Sequence, residues 1–185
     1  MRQPLTNREL DRTLIAPGKD YDNIQNYKSH IEDAEDFVYI LDPYYNENSL
    51  RLLREGLINN SSVKTIKILT KPNTIDEAFK DSYSDFAKQM RKEGIAIEFR
   101  VVVDTKTQGA IHNRYLITKN RSYDFVSADT MQRGQLSHIK EVSDVKPIFD
   151  QFWENGKELL SCWTEIQKYK EEKNKRIKED ILRKI

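Results

Sequence analysis

The sequence predicts an α/β protein, a mixed β-sheet flanked by helices on both faces and followed by a long charged C-terminal helix. Short β-branched runs alternate with helical stretches through the first half, a pattern typical of parallel strands joined by crossover helices. Two later runs joined by a short polar turn predict an antiparallel hairpin. After residue 163 the apolar residues thin out and charged residues dominate, which predicts a solvated helix.

The first half begins with a capping-box pattern, TNRE at residues 6–9, which predicts a helix through residue 15 that Pro17 and Gly18 end. The next elements are, in order, a helix over 23–36 with Asp22 as N-cap, a strand over 37–42, a helix over 48–60, a strand over 64–70, a helix from a capping box at 74–77 to Gly94, and a strand over 95–104.

The pattern of the second half of the sequence predicts three further strands and a final helix. In order, these are a loop over 105–110, the strand IHNRYLIT over 111–118, a turn, a strand over 123–128, a loop over 129–135, a strand over 136–143, and a long helix capped by Asp144.

The length of 185 residues fits one domain with an appendage. We place the domain at residues 1–163, with residues 1–21 as a lead-in, and a charged helical extension at 164–185. The extension holds eight Lys or Arg and five Asp or Glu. It is a solvated helix, a helix that packs on a partner, or a basic arm for nucleic acid, and we prefer the first two.

The net charge is only +1, from 31 basic and 30 acidic residues, so binding of nucleic acid would need a local basic patch. One cysteine excludes an internal disulfide, and the three histidines lack zinc-ligand spacing. We therefore expect no metal and no other cofactor. No signal peptide or membrane span is visible, so we expect a cytoplasmic protein.

The strand IHNRYLIT carries the main candidate site. Strand alternation puts His112 and Arg114 on the same face, roughly 7 Å apart. Phosphodiester chemistry can use a histidine nucleophile, provided that a cation holds the phosphate and a second acid protonates the leaving oxygen. One strand supplies only the histidine and the cation. A symmetric dimer would bring a second copy of His112 across its two-fold axis.

This strand resembles the half-site motif of the phospholipase D superfamily, which is histidine, any residue, lysine, four residues, then aspartate. His112 matches the histidine, Arg114 replaces the lysine, and Lys119 stands in place of the aspartate. Ser127 is the match to the serine that follows on the next strand. The resemblance covers roughly residues 22–163 and implies the phospholipase D fold, with His112, Arg114 and Ser127 as catalytic candidates.

A second resemblance is to the phospholipase-D-like domain at the C-terminus of microtubule-interacting-and-trafficking proteins. That group carries histidine-aspartate-arginine in this strand, is regarded as non-catalytic and binds phospholipid. His112 and Arg114 match it, and Asn113 replaces the aspartate. Nothing in the sequence resembles the group's trafficking module, so a membrane role does not carry over.

The lost aspartate weakens the case for catalysis, because that acid orients the histidine and sets its tautomer. Asp124, Asp129 or Glu141 would have to replace it.

Other residues are candidates for binding. Lys119, Arg121 and Arg133 join Arg114 as candidates for phosphate or nucleic-acid contact. The segment with Asp42, Tyr44 and Tyr45 follows a strand end, where open α/β sheets bind ligands, or it is a turn whose tyrosines cover the core. Asp129 is a further candidate for this pocket.

We rank two functions. The first is a degenerate phospholipase D-like site that binds phosphate groups, most of all those of nucleic acid, or a protein partner, without efficient cleavage. The alternative is a dimeric, metal-independent nuclease or phosphodiesterase with His112 as nucleophile, in nucleic-acid defence. In either case we expect a homodimer, or a subunit of a larger complex assembled through the C-terminal helix.

Overall fold

The computed structural model describes residues 12–133 and 135–183. Their strands are β1 (Arg12–Ile15), β2 (Asp36–Leu41), β3 (Val63–Thr70), β4 (Ala96–Val101), β5 (Tyr115–Thr118), β6 (Ser122–Asp124), β7 (Ser137–Val142) and β8 (Lys157–Glu158). Their helices are α1 (Asp20–Glu32), α2 (Glu47–Leu57), α3 (Glu77–Lys92), α4 (Thr105–Ala110), α5 (Ala128–Gln132), α6 (Lys146–Asn155) and α7 (Trp163–Leu182), with a 3₁₀ turn at Pro72–Thr74.

The strands form one mixed sheet in the order β1-β7-β6-β5-β2-β3-β4-β8. Strands β2, β3 and β4 are parallel to one another, and α2 and α3 supply the crossovers that parallel pairs need. The remaining pairs are antiparallel, among them the predicted β5–β6 hairpin. The mixed sheet that the sequence predicts is therefore confirmed.

Two apolar clusters lie on opposite faces of the sheet, as strand alternation requires. The larger cluster packs α1, α2, α3 and α5 onto one face and includes Val38 and Ile40 of β2. The smaller cluster packs Phe149 and Trp153 of α6 against Leu41 on the other face. Helices on both faces are thus confirmed.

The segment at residues 12–15 is a strand, whereas the capping-box pattern predicted a helix there. It pairs antiparallel with β7 and buries Ile15 completely while Leu14 stays exposed. This strand alternation, together with partners on β7, outweighs a helix start that residues 6–9 alone suggested. Residues 6–9 lie outside the described part of the chain.

Two predicted loops contain short helices, each with its own N-cap. Helix α4 occupies the predicted loop 105–110, and the Asp104 carboxylate accepts a hydrogen bond from the Thr107 amide at 2.9 Å. Helix α5 occupies part of the predicted loop 129–135, and the Ser127 hydroxyl accepts from the Thr130 amide at 3.1 Å. Both are ordinary N-cap interactions.

Helix α1 begins at Asp20 after the cap position Lys19, so the predicted N-cap Asp22 lies inside its first turn.

Two further predicted helix starts are displaced. The N-cap of α3 is Asp76, which accepts from the Phe79 amide at 2.9 Å, while Thr74 belongs to the 3₁₀ turn. Asp144 does not cap α6, because its φ is 59° and the cap position is Val145. A residue in the left-handed region is not in the extended conformation of an N-cap.

The predicted long final helix is two helices, interrupted at Gly156. A Cβ at this position would lie 2.6 Å from Leu69 Cδ1 and 2.9 Å from Arg100 Cβ. The close approach lets residues 157–158 pair with β4 as β8. Helix α7 then starts anew at Trp163.

Helix α7 is the long charged C-terminal helix that the sequence predicts, and its first turns attach it to the body. Ile166 is fully buried, and Tyr169 donates a hydrogen bond to the Asn73 side chain at 3.2 Å. Residues 171–183 are exposed throughout. Within the described residues, no helix combines the length and the apolar character that crossing a membrane requires.

Candidate functional site

The candidate site lies where the carboxyl end of β2 meets the amino end of β5. These strands are antiparallel, and Leu41 is the partner of Tyr115. The residue after Leu41 and the residue before Tyr115 therefore lie side by side at one edge of the sheet. This register brings Asp42 next to Arg114, and we call Asp42, Tyr44 and Arg114 the β2–β5 corner.

An ion pair joins two members of the corner. Arg114 Nε donates to Asp42 Oδ1 at 3.0 Å, and the Tyr44 amide donates to the same oxygen at 2.8 Å. The Asp42 side chain is 8% exposed and that of Arg114 is 27% exposed. Burial raises the pKa of the Asp42 carboxyl above its ordinary value, and the Arg114 guanidinium opposes that rise.

The guanidinium of Arg114 is held through Nε alone. Among the described residues, its two terminal nitrogens donate no hydrogen bond within the protein. Arg114 Cζ lies 5.5 Å from the centroid of the Tyr44 ring, a cation–π distance. Asp42 and Tyr44 thus fix the orientation of a cation whose remaining donors are available to an anion.

The two tyrosines of the turn have opposite environments. Tyr45 is fully buried and packs edge-on against Phe79 and Phe99, so it covers the core. Tyr44 is 49% exposed. Of the two interpretations of this segment, the core-covering one therefore describes Tyr45, and the exposed Tyr44 stays a candidate for ligand contact.

His112 lies in the irregular segment between α4 and β5, and β5 itself begins only at Tyr115. The predicted strand is therefore too long at its amino end. His112 is exposed, and in the described part of the chain no carboxylate pairs with it. Among the residues that the structure describes, no hydrogen bond or ion pair orients the imidazole for nucleophilic attack.

Of the acids that the sequence offered as replacements, only Asp129 is close enough to the corner to raise the pKa of the Asp42 carboxyl among the described residues. Glu141 is on β7, which β6 separates from β5, and Asp124 is an exposed residue of β6 paired with Tyr115. Asp129 accepts hydrogen bonds from the side-chain amides of Asn46 at 3.2 Å and Asn48 at 3.0 Å. Asp129 thus ties α5 to the start of α2.

Ser127 acts as the N-cap of α5, and its hydroxyl lies 2.8 Å from that of Thr130. Its oxygen is already engaged locally.

The remaining predicted cations are not gathered at the corner. Lys119 pairs with Asp36 at 2.5 Å, at the start of β2 and hence at the opposite end of β5 from Arg114. Arg121 lines a separate polar cavity of about 320 Å³ with His30 and Asp33. Arg133 is exposed after the last residue of α5.

The Asp42–Arg114 pair was missed as a pair by the sequence reasoning, although both residues were named. The Asn46, Asn48 and Asp129 contact was missed altogether. In both cases the partners are far apart in sequence, and only the N-cap spacing of Ser127 and Thr130 was a local signal that could have revealed α5.

Comparison with known proteins gives structural matches alone. No protein-family model matches the chain, and no curated protein matches its sequence. TrmBL2, an archaeal chromatin protein whose structure shows a novel mode of DNA binding, matches with a TM-score of 0.51 and 17% identity, over 83% of this chain and 56% of that one.

Two further matches span nearly the whole of the other chain. NucT from Helicobacter pylori has a TM-score of 0.52 and 10% identity, over 80% of this chain and 98% of NucT. Nuc from Salmonella typhimurium, a phospholipase D family member, has a TM-score of 0.52 and 10% identity, over 81% of this chain and 98% of Nuc. At such identities the likeness concerns the fold, and this chain has the phospholipase D-like fold.

Proposed function

We propose that this protein binds phosphodiester groups of nucleic acid at the β2–β5 corner and does not cleave them efficiently. The observation that carries the proposal is the fixed guanidinium of Arg114, held by Asp42 through Nε with its terminal nitrogens available. A planar guanidinium offers two parallel donors that match two phosphate oxygens.

The environment of His112 argues against efficient catalysis. A histidine nucleophile needs a partner that sets its tautomer and an acid for the leaving group. In the described residues the nearby acids are engaged otherwise, Asp42 with Arg114 and Asp129 with two asparagines. Lys119, at the position of the motif's aspartate, pairs with Asp36.

One of the structural matches supports nucleic acid as the ligand. TrmBL2 is described as a DNA-binding chromatin protein, and the chain spans only 56% of it, so its DNA binding is carried over here as a proposal. The near-neutral net charge of +1 means that binding rests on a local cation and not on the field of the whole protein.

The alternative is a metal-independent nuclease or phosphodiesterase, of use in nucleic-acid defence. The observation in its favour is that His112 is exposed two residues from Arg114. Catalysis would then need a second His112 from a symmetric partner. A protein partner is the alternative to nucleic acid as the ligand. The proposal also includes a cytoplasmic location and assembly with a partner through α7.

One experiment separates binding from cleavage. The wild type, His112→Ala and Arg114→Ala are incubated with single- and double-stranded DNA and RNA in EDTA, and both binding and product formation are measured. We expect no cleavage by any of them. We also expect wild-type binding that weakens linearly with the logarithm of salt concentration, and about a tenfold loss in Arg114→Ala.

The matched control is Arg91→Ala, which removes an exposed arginine at the end of α3. It should leave affinity unchanged, as should Arg133→Ala if the corner alone holds the phosphate. Chelator-resistant cleavage that disappears in His112→Ala would establish the nuclease instead. Equal affinities of the wild type and Arg114→Ala would contradict the proposed site.

A further inference from the structure

The Tyr44 ring is a surface feature that phosphate binding does not use. It is 49% exposed, although Tyr45 beside it is fully buried. A large aromatic side chain left in water next to an ion pair has lost the free energy of burial. What distinguishes Tyr44 from other exposed aromatic side chains is its position beside the Arg114 guanidinium.

The ring is displayed on a rigid turn. The Tyr44 amide donates to Asp42 Oδ1 at 2.8 Å, and the Tyr45 amide lies within hydrogen-bond reach of both Asp42 O and Thr70 Oγ1, at 3.3 Å each. Pro43 is buried and fixes its own φ. A ligand that contacts Tyr44 meets a backbone that is already ordered, so little conformational entropy is lost on binding.

We propose that Tyr44 stacks on an unpaired base adjacent to the phosphate held by Arg114, so that the ligand is single-stranded nucleic acid. The inference rests on the proposed function and names its substrate class. The guanidinium carbon lies 5.5 Å from the ring centroid. At that separation one nucleotide can place its base on the ring and its phosphate on the guanidinium.

The geometry disfavours an intact duplex. In a duplex the faces of the bases are covered by their neighbours, and an aromatic ring reaches a face only when a base leaves the stack. In a single strand every base has an available face, and stacking on an aromatic side chain supplies much of the affinity.

Recognition at this corner should be tolerant of sequence. The nearby side-chain amides are held by bonds within the protein, since Asn46 and Asn48 donate to Asp129 and Asn113 donates to the Tyr115 hydroxyl. The Asn46 oxygen also accepts from the Ser49 amide at 3.1 Å. Stacking and a phosphate contact remain, and both are nearly independent of base identity.

The test uses three DNA ligands of equal length: a mixed-sequence single strand, its duplex, and a single strand of abasic sites that keeps the phosphates. Their affinities are measured by competition against a labelled single strand. We expect the single strand to bind about tenfold more tightly than either of the others. Tyr44→Ala should abolish this preference, and Tyr44→Phe should keep it because the ring remains.

Tyr21→Ala is the matched control, since Tyr21 is 74% exposed on α1 and should have no effect. Equal affinity for all three ligands, together with a loss in Arg114→Ala, would overturn the inference and leave the phosphate site intact. Unchanged single-strand preference in Tyr44→Ala would also overturn it. No binding to any of the ligands would overturn both proposals.

Discussion

At the scale of single residues, the hydrogen bonds that a buried polar side chain makes to backbone groups explain its position. Asn60 is 8% exposed, and its Nδ2 lies within 3.0 Å of three backbone carbonyls, those of Ile31, Glu32 and Ala34. Its oxygen accepts from the amides of Ser62 at 2.8 Å and Val63 at 3.3 Å. One side chain thus closes the end of α1 and fixes the approach to β3.

We expect Asn60→Ala to lower the free energy of unfolding by about 3 kcal/mol, because several buried backbone groups would lose their partner at once. Urea denaturation measures the effect. The control is Asn59→Ala, an exposed neighbour for which we expect a change within about 0.5 kcal/mol. Similar values for the two variants would show that the network around Asn60 contributes little.

Arg114 and Asp42 show the same principle at the candidate site. An arginine that the sequence offers as a cation becomes an oriented one because a buried carboxylate holds Nε. Burial raises the pKa of the Asp42 carboxyl, because removing the charged carboxylate from water costs free energy. The oriented guanidinium is the residue-level feature on which the proposed phosphate site rests.

At the scale of elements, close approach decides where helices end. Gly156 separates α6 from β8 because there is no room for a Cβ beside Leu69 and Arg100. The Arg100 guanidinium also donates to the Trp153 carbonyl at 3.1 Å and lies over the Trp153 ring at 4.5 Å. The end of α6 is thus held against β4 by packing and by the contacts of the Arg100 guanidinium with Trp153.

We expect Gly156→Ala to lower the free energy of unfolding by about 2 kcal/mol, since the added methyl group must displace Leu69 or the backbone. Thermal or urea denaturation measures it. Gly109→Ala is the control, because a Cβ there meets nothing within 4 Å, and a gain of about 0.5 kcal/mol is expected for alanine in a helix. Equal effects of the two substitutions would contradict this account of the α6 end.

At the scale of the whole molecule, α7 divides into an attached and a solvated part. Its first turns contact the 3₁₀ turn and the loop after it through Tyr169, Lys170 and Lys173, which bond to Asn73 and Ile75. Beyond these contacts every described residue is exposed, Ile177 and Ile181 included. The solvated part therefore adds little to the folding of the domain.

We expect removal of residues 174–185 to leave the free energy of unfolding within about 0.5 kcal/mol of the full chain. Affinity for single-stranded DNA should be retained at the same time if the corner is the binding site. Denaturation and the binding assay above measure the two quantities. A steep loss of affinity, with a smaller salt dependence, would identify the tail as a basic arm.

Local pattern was sufficient for most of the secondary structure. The buried strands β2, β3 and β4 and the amphipathic helices α2 and α3 follow from hydrophobic period and flanking breakers. Two of the errors have a common origin in contacts with distant segments. Residues 12–15 form a strand because β7 is there to pair with, and α6 ends because Leu69 and Arg100 approach Gly156.

The sequence likewise predicted some features of the candidate site, and distant contacts decided the others. Sequence alone singled out His112, Arg114, Asp42 and Tyr44, and its resemblance to the phospholipase D superfamily predicted the fold. Only the tertiary structure joined Arg114 to Asp42, separated Tyr44 from Tyr45 by exposure, and paired Lys119 with Asp36.

Periodicity and capping are local properties, so the sequence by itself determined the fold class, the main elements and the residue types able to bind a phosphate. The site geometry depends on the antiparallel register of β2 and β5, a contact between segments distant in the chain. Because a one-residue shift of that register would turn every side chain to the other face, the tertiary structure alone decided which of these residues meet.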